Sequence, residues 1–257
     1  MNDNIYSAPS SQLSDTPAPG QYGSLERGIN GDYEFSVSAI LSEAWARTKG
    51  AKGTMLLAML MYMVISALIS VAITFIFTRH LLPPTQQPSP HEAFSTILSG
   101  QFSNLIVMIV LAPLITGQFM LGVRRAVGVS INPMMIFGYY NRFAALAIAQ
   151  VLVYITIIVG YLLLIIPGIY LSVALLLTAP LVADKKISPI AALKASRAAV
   201  SKRWFGIFGL LILLGLLNAA TVFTFFIGMI WTLPMTMIAL GILYRNIFGC
   251  EAETIAE

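Results

Sequence analysis

The sequence predicts an all-α, polytopic membrane protein: six transmembrane helices arranged as three hairpins, each preceded by a short interfacial helix. Three observations carry this. First, Phe143 to Ala183 and Trp204 to Tyr244 are each roughly 40 residues long and contain no Asp, Glu, Lys, Arg or His. A membrane-spanning helix needs about 20 apolar residues, so each stretch is long enough for two spans folded back on each other. Second, the chain is 58% hydrophobic and only 10% charged, against about 25% charged residues in a soluble domain. Third, 14 of its 15 Lys and Arg residues fall on one side when six spans are drawn, and only Arg79 falls on the other. The positive-inside rule then places both termini in the cytoplasm.

The spans are predicted near 54–78, 104–123, 143–163, 167–183, 204–226 and 228–245. Residues 1–35, rich in Ser, Pro, Gly, Asn and Asp, read as a disordered cytoplasmic tail. Residues 36–248 form the membrane domain and 249–257 a second cytoplasmic tail. The Ile5-Tyr6-Ser7-Ala8-Pro9 stretch is a candidate docking peptide for a protein partner. No cleavable signal is expected, since the first apolar run starts at Thr54 and is too long for one.

Each hairpin has an amphipathic lead. Val37, Ile40, Leu41, Ala44, Trp45 and Thr48 recur at helical spacing, with Glu43, Arg47 and Lys49 off the stripe. The second lead, Ile131 to Phe137 with Tyr139, Tyr140 and Arg142, is rich in aromatics. The third starts at Ser188 as N-cap and Pro189 as first helical residue, with Ile190, Leu193 and Val200 as its apolar stripe. Between the first two spans, Leu82 to Pro88 reads as a stiff loop. Ser89-Pro90-His91-Glu92 then opens a short external helix. Pro113, Pro180 and Pro234 recur in the returning spans, where each is expected to kink its helix. Pro167-Gly168 reads as a turn. Two-span units return to the side they leave, so a pseudo-threefold axis along the membrane normal is expected.

The stretch Ile166-Pro167-Gly168-Ile169-Tyr170 through Ala179-Pro180-Leu181-Val182-Ala183-Asp184-Lys185, followed by Ser188, Ala192 and Ser196-Arg197, resembles the YciC-like family of bacterial inner-membrane proteins. It is similar, more distantly, to the membrane domain of some glycerophosphodiester phosphodiesterases. The resemblance covers roughly residues 36–248; the longer polar N-terminal tail departs from the family. It implies a six-span protein of the bacterial inner membrane and brings no catalytic residue.

The residues by themselves point to no enzyme. Asp184 stands alone without a paired acid, base or metal ligand and reads as a helix-end hydrogen-bonding group. His80 and His91 have no third ligand, and Cys250 is the single cysteine, a free thiol. No catalytic, cofactor-binding or metal-binding residue is therefore expected, nor is nucleic acid. The strongest candidate contact is the basic cluster Lys185, Lys186, Lys194, Arg197, Lys202 and Arg203, set to meet anionic phospholipid headgroups, with Ser188 to Arg203 lying along them. Gln118, Gln150 and Asn218 lie in or near spans, with Ser66, Ser70, Thr116, Thr156 and Thr221. If the three amides bridge helices separately, a non-enzymatic accessory or organising component of the envelope is favoured. If they converge on one cavity, the alternative gains: a transporter or channel for a small or lipid solute.

Overall fold

The computed structural model describes residues 22–81 and 90–256, and the side chains of 77–98 are not among what it describes. The described residues are helical, with no strand. Two short elements come first: α1 (Leu25–Asn30) and α2 (Val37–Thr48). The long helices α3 (Lys52–Leu81) and α4 (Pro90–Ala126) follow. Two 3-10 turns, Pro133–Phe137 and Tyr140–Arg142, lead into α5 (Phe143–Leu163). Then come α6 (Ile165–Ala174), α7 (Thr178–Asp184), α8 (Pro189–Lys202), α9 (Trp204–Ala220), α10 (Met229–Phe248) and α11 (Ala252–Ala256).

Among the described residues, five stretches are long and apolar enough to cross a membrane: Lys52–Ile76, Ser99–Ala126, Pro133–Leu163, Ile165–Asp184 and Trp204–Thr224. The sixth expected span, α10, is not among them. It mixes Thr232, Pro234 and Thr236 into its first half and runs on to Arg245 and Asn246. From Ile238 to Arg245 every residue is buried, so neighbouring elements enclose the second half of α10, while Ile230 and Trp231 in its first half stay exposed.

The elements lean on one another in a closed ring. α2 packs on α10, the Pro133–Phe137 turn packs on α4, and α8 packs on α6 and α7. The long helices repeat the scheme, with α3 against α10, α5 against α4, and α9 against α6. α4 and α6–α7 sit inside: 61% and 50% of their apolar windows are buried, against 6% for α3 and 22% for α5 and α9. Leu57, Leu60, Leu68 and Val71 on α3 are correspondingly exposed.

The three leads share a start. Ser36, Asn132 and Ser188 are each an N-cap whose side chain accepts from a backbone N–H, and the residue four places on is buried each time: Ile40, Ile136 and Ala192. Only two leads become α-helices. The middle one stays in 3-10 turns, interrupted at Gly138.

Several expectations need correction. Residues 22–35 are ordered, contrary to the disordered tail read over 1–35. Ser24 and Gly31 cap α1, and Tyr33 is buried with its hydroxyl donating to the Ala199 carbonyl at 2.8 Å. Residues 1–21, the loop 82–89 and the side chains of His80 and His91 lie outside what is described. The helix opening at Pro90 is not separate: α4 runs unbroken to Ala126. Pro167-Gly168 is no turn. The chain reverses at Leu164, which is extended, and Gly168 lies inside α6 where the Tyr161 ring leaves no room for a Cβ.

The prolines also differ. α4 and α10 continue through Pro113 and Pro234, but the chain breaks between α6 and α7 at Leu175–Leu177. Pro180 explains the place: its ring excludes the carbonyl four residues back, at Leu176. Ser196 of α8 mends the break. Its hydroxyl donates to the Ala174 carbonyl at 2.8 Å and accepts from the Leu177 N–H at 3.2 Å. Ser196→Ala should cost about 1–3 kcal/mol by leaving both groups unpaired in a buried place. A melting temperature in detergent equal to wild type would refute this.

Candidate functional site

The basic residues gather at one end of the bundle, which we call the basic face. Much of their charge is used between helices. A helix leaves its last carbonyls without intrahelical partners, and cations are favoured there. Arg125 donates to the carbonyls of Arg47 and Lys49 at the end of α2, at 2.8 and 2.7 Å. Arg142 donates to Val182 and Lys186 at the end of α7, at 2.8 and 3.2 Å. Arg245 donates to Ala126 at the end of α4. Three arginines thus close the C-terminal ends of three neighbouring elements.

Arg245 is the centre of this lattice. It is 4% exposed, holds both carboxylate oxygens of Glu43 at 2.7 and 2.9 Å, and lies over the Tyr22 ring at 4.3 Å. Glu43 also accepts from Arg47 at 2.6 Å. Burial pushes the Glu43 carboxyl up, but the hydrogen bonds from Arg245 and Arg47 outweigh it and hold the group below its ordinary 4.5.

The six residues expected to meet lipid divide in two. Lys185 is nearly enclosed, 2.8 Å from Glu251 and 3.5 Å from Asp184, and Lys186 pairs with Glu253. The segment after α10 is therefore tied down by these lysines. Lys194, Arg197, Lys202 and Arg203 are exposed on α8 and its C-cap. The buried face of α8 is Ala192, Ala195, Ser196, Ala199 and Val200. Of the expected stripe only Val200 is buried, and Ile190 is 59% exposed. Small side chains carry little hydropathy, so the pattern passed over them. They win the interface because they let α8 approach α5, α6 and α7 closely.

Asp184 behaves as a helix-end group. It accepts from the buried Tyr244 hydroxyl at 2.7 Å and from the Glu251 N–H at 3.1 Å. Beside it, burial and then the Asp184 charge push the Cys250 thiol from 9.0 up to about 12. Thiolate is the reactive form, so native Cys250 should react with maleimide at pH 8 at least tenfold slower than glutathione. Comparable rates before denaturation would show that this pocket is open.

The three amides do not meet. Gln118 of α4 donates to the Ala58 carbonyl of α3 at 2.6 Å. Asn218 of α9 donates to Thr236 of α10 at 2.9 Å and to Leu214 in its own helix. Gln150 is half-buried on α5. Ser66, Thr116, Thr156 and Thr221 return their hydroxyls to carbonyls of their own segment.

Taken together, these elements define an all-helical protein with several helices able to cross a membrane and a paired-charge lattice at one end. Comparison with protein-family models, curated proteins and solved structures finds no match.

Proposed function

We propose that this chain is a non-enzymatic accessory or organising component of a cell envelope, embedded in the membrane as three two-helix hairpins that all return to the cytoplasmic side. The observation that carries the reading is the separate pairing of Gln118 and Asn218. Each amide bridges its own pair of helices, as polar groups do when they join helices in lipid, and they line no common path. The charges at the basic face support it too, since Arg245, Arg125 and Arg142 hold helices to each other. The sequence resemblance to YciC-like proteins supports a bacterial inner membrane as its location. The test is flux into liposomes across a panel of metabolites and lipids. We expect no saturable uptake; saturable uptake would replace this reading with the transporter.

We place the middle hairpin obliquely, not straight across. α8 runs alongside α6 and α7 and reaches the Tyr170–Ser201 contact at 2.6 Å. Asp184 at the end of α7 meets Tyr244 of α10, and Lys202 at the end of α8 abuts Gly31 beyond α1, whose Gly28 rests on Phe248. Tyr170 is only six residues from Leu164, about 9 Å along a helix. The tip, Leu162 to Ile166, is wholly apolar and 68–80% exposed, as suits a tip left in hydrocarbon about 30 Å thick.

Cysteine labelling in a Cys250→Ser background tests the arrangement. Ser89→Cys should label from outside, Ser188→Cys only after permeabilisation, and Leu164→Cys slowly from either side. Outside labelling at Ser188→Cys would reverse the topology. Outside labelling at Leu164→Cys would restore six full crossings.

A further inference from the structure

Between α6, the end of α8 and the start of α9 lies a groove of about 850 Å³, within the range of about 300–1,000 Å³ of small-molecule sites. Its two ends differ. One is apolar, with Ile166, Ile169, Phe205 and Phe208; the other carries Lys202 and Arg203, with the Tyr170 and Ser201 hydroxyls beside them. We propose that this groove holds one anionic phospholipid, its phosphate at Lys202 and Arg203 and an acyl chain along Ile166, Ile169 and Phe208. The proposal rests on the membrane-embedded reading above and names a ligand for it.

Charge and shape select this occupant. Lys202 and Arg203 are exposed, and neither pairs with a carboxylate among the described residues. A guanidinium beside an ammonium is a ready phosphate site. Phe205, next in the chain but one, is 84% exposed, and Ile166 is 78% exposed. A polar metabolite would satisfy the cations and leave these walls against its hydrated surface. A neutral hydrocarbon would fill the walls and leave the cations unanswered. An anionic amphiphile meets both.

The walls are built in advance. The Trp204 indole N–H donates to the Tyr170 carbonyl at 3.1 Å, and its ring stacks on Phe208 with centroids 4.9 Å apart at 13°. Tyr170 and Ser201 share a hydrogen bond at 2.6 Å. At Gly206 an added Cβ would sit 2.6 Å from the Phe35 ring, so the chain passes close behind the groove. A site held by such contacts loses little freedom when it fills.

The experiment uses the full chain, purified and examined by native mass spectrometry with phosphatidylglycerol and, separately, phosphatidylcholine. We expect one tightly retained phosphatidylglycerol and no comparable phosphatidylcholine. Lys202→Gln with Arg203→Gln should reduce retention at least tenfold, about fivefold per cation lost at a membrane surface. Ile169→Trp, which fills the apolar end and keeps the charges, should reduce it as well. Lys194→Gln with Arg197→Gln, on the same helix outside the groove, should leave it within twofold. Equal loss in both charge pairs would reduce the effect to diffuse attraction and overturn the site, as would equal retention of the two lipids. Unchanged binding in Ile169→Trp would overturn the placement of the chain, and that variant decides the question if the double charge variant does not fold. Failure here with the labelling pattern intact removes the groove alone; failure of the labelling pattern removes the membrane arrangement beneath it.

Discussion

Replacing Gly241 with alanine is expected to cost about 3 kcal/mol or more, and with leucine to prevent folding. Gly241 on α10 faces Gly122 on α4 backbone to backbone: a Cβ at Gly241 would fall well inside 3.0 Å of the Gly122 carbonyl and of the Val123 nitrogen. The converse holds at Gly122, whose Cβ would meet the Met237 carbonyl. Overpacking against flexible side chains costs about 1–3 kcal/mol. Here main chain stands on both sides, so relief requires moving two helices that enclose the core. The loss corresponds to about 6–12 °C in melting temperature for a chain of this size. Gly209→Ala on α9 is the control, since nothing lies within 4 Å of its added Cβ. That change should be neutral or stabilise by up to about 1 kcal/mol through helix propensity. If Gly241→Ala melts with the wild type, α4 and α10 do not cross as described.

Glu43→Gln should cost about 3 kcal/mol. It leaves Arg245, whose side chain is 5% exposed, without its carboxylate. Breaking a buried pair from one side costs about 3–5 kcal/mol, and the lower end applies because Glu43 keeps 31% exposure. Arg245→Met should cost less, because Glu43 retains Arg47 and some water. The double variant should melt above Glu43→Gln alone, since the uncompensated buried cation is gone. A double variant less stable than both singles would refute this account. The pH sign follows from the lowered carboxyl. A carboxylate lowered in the folded state stabilises above its unfolded value of 4.5, and that contribution is lost as pH falls through the lower folded value. Glu43→Gln should therefore abolish part of the destabilisation seen below pH 4.5 and change nothing in the slope between pH 6 and 8.

The membrane class was legible because hydrocarbon imposes a one-dimensional rule: long stretches without charge, with cations gathered beyond their ends. The N-cap Ser188 was legible for a similar reason, since a cap is satisfied within four residues. The reading of Asp184 as a helix-end group held, though its partner Tyr244 lies 60 residues away. What misled was hydropathy where protein, not lipid, is the neighbour. The second half of α10 is enclosed with Arg245 inside it, and α8 turns its alanines inward while Ile190 stays out. The short elements at 22–35 and 251–256 looked like tails because their support comes from Ala199, Lys185 and Lys186, far away in the chain.

By itself the sequence determined that this is a helical chain with several helices long and apolar enough to cross a membrane, because solvation of a single residue depends on its own chemistry and that of near neighbours. Only the tertiary structure decided which arginine closes which helix, that Ser196 mends the break made by Pro180, and that Gly122 must face Gly241. It also decided that Lys202, Arg203 and Ile166 share one groove. Each of these is a contact between residues distant in sequence, fixed by helix packing at distances that no local pattern encodes.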